Sequence, residues 1–189
     1  MALPPFFAAV VACALLAGTP VLADEIQEID QQYRAGELAA ALDRADRFLT
    51  DHPQDAQARF LKGLILADQG KVDDAIAVFS GLTVDYPELP EPYNNLAVIY
   101  ASQNKYEAAR HALDMAIRAH PGYATAHENL GDLYAKMASI AYEKAQALDS
   151  TNTTAQTKLT LIRNMLGEHP GKPATAKPLP DPVRPAPAR

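Results

Sequence analysis

A period of 34 residues constrains the fold of this chain more than any other feature of its sequence. Four columns of residues keep that spacing through three successive units: a proline, an apolar or small residue, a glycine or asparagine, and an alanine. In that order they are Pro53, Pro87 and Pro121; Ile29, Gly63 and Ala97; Gly36, Gly70 and Asn104; and Ala41, Ala75 and Ala109. A fixed period of this length is typical of solenoids, and a period of 34 predicts one pair of helices per unit.

Each column has a physical role in a helix pair. The small residues at Gly63, Ala97 and later Gly131 fall on the first helix, where we expect the second helix to approach closely. Glycine or asparagine tolerates the left-handed backbone conformation that ends many helices, so Gly70 and its equivalents should close the first helix. Proline disfavours helix at the residue before it, so Pro87 and its equivalents should stop the second helix.

The residues in these columns resemble the tetratricopeptide repeat family. The best unit matches that family at Tyr93, Leu96, Ala97, Tyr100, Ala109 and Pro121, and the unit before it matches at Gly63, Leu66, Ala75, Phe79 and Pro87. The resemblance covers roughly residues 22–150. It implies an all-α, helical-hairpin solenoid with regular repeats at about 22–55, 56–89 and 90–123. It does not specify a function, because function depends on the sites placed on a fold.

The fourth unit, at 124–150, begins in register and then loses it. Its first helix keeps His127, Leu130, Gly131 and Tyr134, but Ala138 and Ala155 take the places of the turn and stop residues. Because no proline or helix-ending glycine interrupts 124–148, we predict one fused helix of about 25 residues there. The alternative is a tight kink at 137–140. A capping helix at 153–166 should pack back on the long helix, and we expect His127 to lie at the edge of the core.

The first 23 residues carry no charged side chain. Their apolar run at 6–17 is shorter than the ~20 residues that span a bilayer, and Thr19 and Pro20 interrupt it. Ala23 ends a segment typical of signal-peptidase sites. We therefore predict a cleaved secretory signal at 1–23 and a repeat domain at 24–166, with its first helix at 24–35. An uncleaved membrane anchor is the main alternative, and lipidation of Cys13 is a second one.

Residues 167–189 form a proline-rich tail. It has seven prolines, no aromatic residue, and four Lys or Arg against two acidic residues. Such a composition cannot bury enough apolar surface to fold, so we predict a disordered, mildly basic tether or spacer.

No group of side chains in the sequence resembles a catalytic, metal or cofactor site. His111, Asp114 and His120 are close in sequence, but on a charged helix such residues are usually solvated, so we predict neither an enzyme nor a bound metal ion. The formal net charge of the chain is −6. That charge argues against a general nucleic-acid binder, since such proteins usually carry a basic patch.

The resemblance implies instead that the first helices of the repeats line a concave groove that binds a peptide or a partner helix. The groove positions that it assigns are Tyr33, Phe60, Leu64, Asn94, Asn95, Val98, Glu128, Asn129 and Asp132. Asn95 and Asn129 match the family position whose amide grips a peptide backbone, since an amide both donates and accepts. Acidic and apolar residues predominate in this set. The basic clamp by which some family members hold a terminal carboxylate is therefore not expected.

We accordingly expect a non-catalytic scaffold or adaptor of the bacterial envelope whose partner is a protein or peptide bound in the groove. It would lie in the periplasm if the signal is cleaved and at the membrane if it is not. The compartment follows from the signal and the resemblance together. The alternative function is a structural spacer, tethered to the membrane or self-associated as a homo-oligomer through the long fused helix.

Overall fold

The computed structural model describes the backbone of residues 19–167 and the side chains of residues 24–167. Within that range it contains eight α-helices and no β-strand. The helices are α1 (Thr19–Arg34), α2 (Leu38–Asp51), α3 (Ala56–Asp68), α4 (Val72–Asp85), α5 (Pro90–Ser102), α6 (Tyr106–Ala119), α7 (Ala124–Leu148) and α8 (Thr153–Met165). The predicted all-α fold is confirmed. Residues 1–18 of the predicted signal and the tail beyond 167 lie outside the described residues.

The first three helix pairs close through equivalent turns. Gly36, Gly70 and Asn104 have φ angles of 78°, 73° and 60°, in the left-handed region that glycine and asparagine tolerate best. After each of them the next residue donates its N–H to the carbonyl five positions back, as Lys71 does to Leu66 at 2.9 Å. That hydrogen bond satisfies a carbonyl left open at the helix end. The predicted turn column is therefore confirmed.

One hydrophobic core runs along the helix pairs, and its close contacts depend on the small-residue columns. The alanine column is fully buried. Where α3 meets α4, a Cβ on Gly63 would lie 2.6 Å from the Phe79 ring. That ring packs in turn on Phe60, with ring centroids 5.6 Å apart. The second unit thus has the close helix approach that the sequence predicts.

Helix α7 is one continuous helix of 25 residues, so the fused helix is confirmed and no kink divides it. Alanine at position 138, where earlier units have glycine or asparagine, simply continues the helix. The capping helix α8 folds back on α7 as predicted. Its Ala155 and Leu159 are buried, and an Arg163 guanidinium nitrogen lies 2.9 Å from the Glu143 carboxylate.

Three local expectations are wrong. The first helix begins at Thr19 rather than 24, because Pro20 falls in the first turn, where its missing N–H and fixed φ are tolerated. His127 is exposed, with its Nε2 atom 3.0 Å from the Pro121 carbonyl oxygen, so it is not part of the core edge. A Cβ built on Gly131 meets nothing within 4 Å, since no second helix packs on this part of α7.

Candidate peptide-binding groove

A solvent-open cavity of about 240 Å³ lies where α5, α6 and α7 meet. Its floor is apolar, and its rim carries amide, carboxylate, phenol and ammonium groups. The lining residues are Ala97, Val98, Ala101, Asn104, Tyr106, Ala109, Leu113, Asn129, Asp132, Leu133 and Lys136. We call this space the third-unit pocket. Three of the predicted groove residues, Val98, Asn129 and Asp132, are brought together around it.

The third unit lacks two aromatic rings that fill the second unit, and one of the replacing residues, Leu113, lines the pocket. Phe60 and Phe79 pack against each other beside α3 and α4. The residues 34 positions later are Asn94 and Leu113, and both are buried. Since an amide and a leucine replace two phenyl rings, the interior of the third unit is less completely filled. The sequence contains this signal, but only a comparison of equivalent core positions reveals it.

An amide pair joins α5 to α7 beside the pocket. The Asn129 Nδ2 atom donates to the Oδ1 atom of Asn94 at 2.7 Å. Asn95, the other amide predicted to grip a peptide, donates through its Nδ2 atom to the backbone carbonyl of Glu91 at 2.9 Å. An amide side chain has two N–H donors and an acceptor oxygen. Asn95 and Asn129 therefore retain hydrogen-bonding capacity beyond these contacts, and their role in holding a peptide stays a prediction.

The N-terminal half of the predicted groove is organised differently. Phe60 and Leu64 are buried in the core, because α3 packs against α1, α2 and α4; they support the groove from beneath and do not form its surface. Tyr33 donates its hydroxyl to the Asp68 carboxylate at 2.7 Å and so ties α1 to α3. Glu128 is exposed in the first turns of α7.

A buried carboxyl lies at the start of α5. Glu91 is in the first turn of that helix and is 8% exposed. Burial raises the pKa of its carboxyl, and a backbone hydrogen bond and the nearby His120 oppose part of that rise. Burial also raises the pKa of the Tyr123 phenol, and the Glu91 charge adds to this effect. Nothing in the sequence pattern indicates that Glu91 is buried.

Two basic residues near the groove are engaged with carboxylates. The Arg59 guanidinium lies 2.7 Å from the Asp85 carboxylate and 6.0 Å above the Tyr86 ring centroid. The Arg34 guanidinium lies 2.9 Å from the Asp30 carboxylate. Neither guanidinium is therefore arranged to receive the terminal carboxylate of a peptide.

Metal-binding clusters and membrane-spanning helices are both absent from the part of the chain that the structure describes. Among those residues, no three His, Cys, Asp or Glu side chains gather in a way that could hold a metal ion. None of the described helices combines the length and the hydrophobicity needed to cross a membrane.

Comparison with known sequences bears on the repeats. Two sequence models described as tetratricopeptide repeat match residues 27–90 and 66–137. Together they span 27–137, which is 111 of the 189 residues. A curated relative, the chloroplastic tetratricopeptide repeat domain-containing protein PYG7 of Arabidopsis thaliana, is 30% identical over 92 residues. That match covers 46% of this chain and 31% of the relative, so it spans about a third of the relative's length.

Solved structures share the same architecture. A thermophilic tetratricopeptide protein of Thermus thermophilus superposes with a TM-score of 0.57 at 23% identity, covering 78% of this chain and 84% of that one; at this identity the likeness shows the fold alone. YrrB, described as a tetratricopeptide protein with an unusual peptide-binding site, superposes with a TM-score of 0.53 at 26% identity, covering 57% of this chain and 55% of its own. The repeat pattern, the helix pairs and both sequence models agree. The chain therefore belongs to the tetratricopeptide repeat family.

Proposed function

We propose that the protein is a non-catalytic scaffold that binds an extended peptide or a helix of another protein in the groove between α5 and α7. The observation that carries the proposal is the third-unit pocket, with its volume of about 240 Å³ and its apolar floor. A dry apolar cavity of about 150 Å³ takes up benzene, so this pocket has room for a large apolar side chain. Asn95 and Asn129 would hold the peptide backbone beside that side chain.

The likeness to YrrB supports the proposal, since that protein is described with a peptide-binding site on the same kind of scaffold. The residue content of the rim supports it as well. Asn129 and Asp132 on α7 present an amide and a carboxylate next to the apolar floor, and such an arrangement suits an apolar side chain followed by backbone N–H groups.

Photo-crosslinking in cells tests this function. A benzophenone amino acid replaces Asn95 on α5, and the matched control carries it at Asp73, an exposed position on the second helix α4. We expect one defined protein adduct from position 95 and none from position 73. The substitutions Ala97→Gly and Leu113→Phe give the third unit the glycine and phenylalanine that the second unit has at these positions, and the new ring should fill the pocket. The adduct from position 95 should disappear in this double variant. Equal capture from both positions, or an adduct that survives the filled pocket, would count against the groove.

A binding assay with the captured protein gives a second test. Asn95→Ala combined with Asn129→Ala removes both amides and should abolish binding, with an unchanged far-UV circular dichroism spectrum. Undiminished binding by this double variant would show that the amides do not hold the partner.

The envelope location is also a proposal, and it rests on the predicted signal at 1–23. We expect the mature protein to be released by osmotic shock with Asp24 as its first residue, which N-terminal sequencing of the purified protein determines. A protein that keeps the apolar segment and sediments with membranes would favour the uncleaved anchor.

A further inference from the structure

In the other units, the second helix packs on a set of residues of the first helix. Helix α7 has residues of the same pattern, although no second helix covers them. In the third unit, α6 packs on α5, and the covered side of α5 includes Tyr93, which is 9% exposed, and Ala97, which is 1% exposed. The equivalent residues of α7, 34 positions later, begin with the same pattern. They are His127, Leu130, Gly131 and Tyr134, and we call these four the receiving face.

Three of the four residues of the receiving face are open to solvent, while Leu130 is partly buried against the core. A Cβ built on Gly131 meets nothing within 4 Å, Tyr134 is 49% exposed, and His127 is exposed. Helix α8 does not take the place of the second helix. It packs further along α7, where Arg163 pairs with Glu143 at 2.9 Å.

Exposed apolar side chains concentrate on the same two helices. Among the described residues, six large apolar side chains are substantially exposed, and the one outside α7 and α8 is Val84 on α4. The five on α7 and α8 are Tyr134, Ile140, Leu148, Leu161 and Met165. Of these five, Tyr134 belongs to the receiving face, whereas Ile140 lies nine residues, or about half a turn around the helix, from Gly131.

The sequence of α7 also contains a second-helix pattern. In α4 the residues that pack on the first helix are spaced by four and then three positions: Ala75, Phe79 and Leu82. Residues 138, 142 and 145 of α7, an alanine, a tyrosine and an alanine, keep that spacing. Phe79 fills the space beside Gly63. By the same correspondence Tyr142, whose ring centroid lies 5.5 Å from the Lys158 ammonium of α8, is the residue that would fill the space beside Gly131.

These two residues cannot meet within one chain. Gly131 and Tyr142 lie on a single continuous helix, which separates them by ~16 Å along its axis. Two copies of α7 side by side and antiparallel remove this obstacle. Gly131 of each copy then faces Tyr142 of the other, and both contacts form at once around a two-fold axis near position 137.

We propose that the protein dimerises through α7 in this antiparallel arrangement, with a second copy of the chain as the occupant of the receiving face. Such a self-complementary interface is the commonest kind in homo-oligomers. The receiving face carries no Asp, Glu, Lys or Arg, so no like charges oppose the pairing. Loss of the turn in a helix hairpin also favours exchange of the second helix between copies, because the chain can no longer fold back on itself.

This pairing is independent of the proposed groove function. The third-unit pocket uses Asp132 and Lys136 of α7, whereas the pairing uses Gly131 and Tyr134. A protein whose groove fails to bind a partner can still dimerise, and the converse also holds.

Sedimentation equilibrium of the purified full chain over a concentration series tests the pairing, and we expect a dimer at micromolar concentration. Gly131→Gln fills open space in a single chain and introduces a better helix former, yet it blocks Tyr142 in a pair. We expect this variant to weaken dimerisation ~10-fold or more with an unchanged far-UV circular dichroism spectrum. Ala77→Gln, on the exposed surface of α4, is the matched control and should leave the dimer intact.

A benzophenone amino acid at position 127 tests the orientation. Antiparallel pairing brings it next to positions 145–147 of the second copy, which lie ~27 Å away along the helix within one chain. A chain that is monomeric throughout the series, a dimer that survives Gly131→Gln, or a crosslink from position 127 to any other region overturns the proposal.

Discussion

The second and fourth units differ at the turn between their two helices, and the difference shows how much of a helix pair depends on that turn. In the second unit Gly70 turns the chain, and α4 returns to place Phe79 against Gly63. In the fourth unit alanine stands at the equivalent position 138, and α7 continues as one helix. Gly131 is retained there, but nothing packs on it. A repeat can therefore keep the packing residues of its first helix and lose its packing when the turn between its helices is removed.

The third unit lies between these two cases. It keeps its turn, since Asn104 has a φ angle of 60°, but its core has Asn94 and Leu113 where the second unit has two phenyl rings. The third unit therefore has a pocket between its packed helices, whereas the fourth unit has an uncovered helix face. The three units thus run from filled to partly filled to open, and the surfaces that we propose for binding belong to the last two.

The largest expected effect comes from emptying the filled unit. Phe79 is fully buried, so Phe79→Ala should lower the free energy of unfolding by ~3–5 kcal/mol. Tyr142→Ala at the corresponding position of α7 should cost much less, because Tyr142 is only half-buried. Urea unfolding followed by circular dichroism, at protein concentrations that keep the chain monomeric, measures both. Equal losses would contradict the contrast between the units.

Gly63→Ala should destabilise the protein although alanine is the better helix former. The new Cβ would lie 2.6 Å from the ring of Phe79, which is fully buried, and overpacking of this kind costs ~1–3 kcal/mol. Adding Phe79→Leu should restore much of the lost stability, because the third unit has an alanine and a leucine at these two positions, Ala97 and Leu113. The same urea titration tests both variants, and wild-type stability of Gly63→Ala would be the contrary result.

Gly131→Ala should have the opposite sign. The position is in the interior of α7 with open space around it, so the substitution should stabilise the monomeric chain by ~1 kcal/mol through helix propensity. Thermal unfolding at low protein concentration measures the change. A loss of stability there would mean that something covers Gly131 within a single chain.

The smallest expected effect is a dependence of stability on pH that originates at Glu91. Burial raises the folded-state pKa of its carboxyl above the ordinary value of 4.5, so the folded chain holds this proton more tightly than the unfolded chain. The resulting stabilisation is complete below that ordinary value and is lost as the pH rises through the folded-state pKa. Glu91→Gln should therefore raise the melting temperature at neutral pH and remove this part of the pH dependence.

A series of melting curves of wild type and Glu91→Gln, from about pH 4 to pH 8, isolates the contribution of this carboxyl. We expect the advantage of the variant to grow as the pH rises. An advantage that stays constant with pH would show that the Glu91 carboxyl does not change its protonation on folding.

The sequence predicts best what depends on backbone conformation. The absence of proline and glycine after Gly131 predicts the continuous helix over 124–148, and the structure has it at Ala124–Leu148. The start of α1 is predicted less well, since proline can interrupt an apolar run or begin a helix. Depth of burial is also poorly predicted. Phe60 and Leu64 share the register of the groove residues but lie in the core, because periodicity gives the side of a helix and not what covers it.

The third-unit pocket is poorly predicted from the sequence for the same reason. It depends on how far the side chain of Leu113 falls short of the phenyl ring that it replaces, and on the position of α7 against α5 and α6. Both the unfilled space and the position of α7 are set by three-dimensional packing, which the sequence pattern does not specify. Asn129 and Asp132 are predicted as groove residues from their register, and the structure adds the apolar floor beside them.

The central claim, that the third-unit pocket binds a large apolar side chain of a peptide, is tested most directly by an NMR titration of the isotope-labelled protein. The probe is N-acetyl-phenylalanine amide, an apolar side chain between two peptide groups, and N-acetyl-alanine amide is the control. We predict saturable shifts around Val98, Leu113 and Leu133 with the phenylalanine probe alone, and none in the variant that combines Ala97→Gly with Leu113→Phe. Shifts scattered over the surface, or equal shifts in the variant with the filled pocket, would contradict the claim.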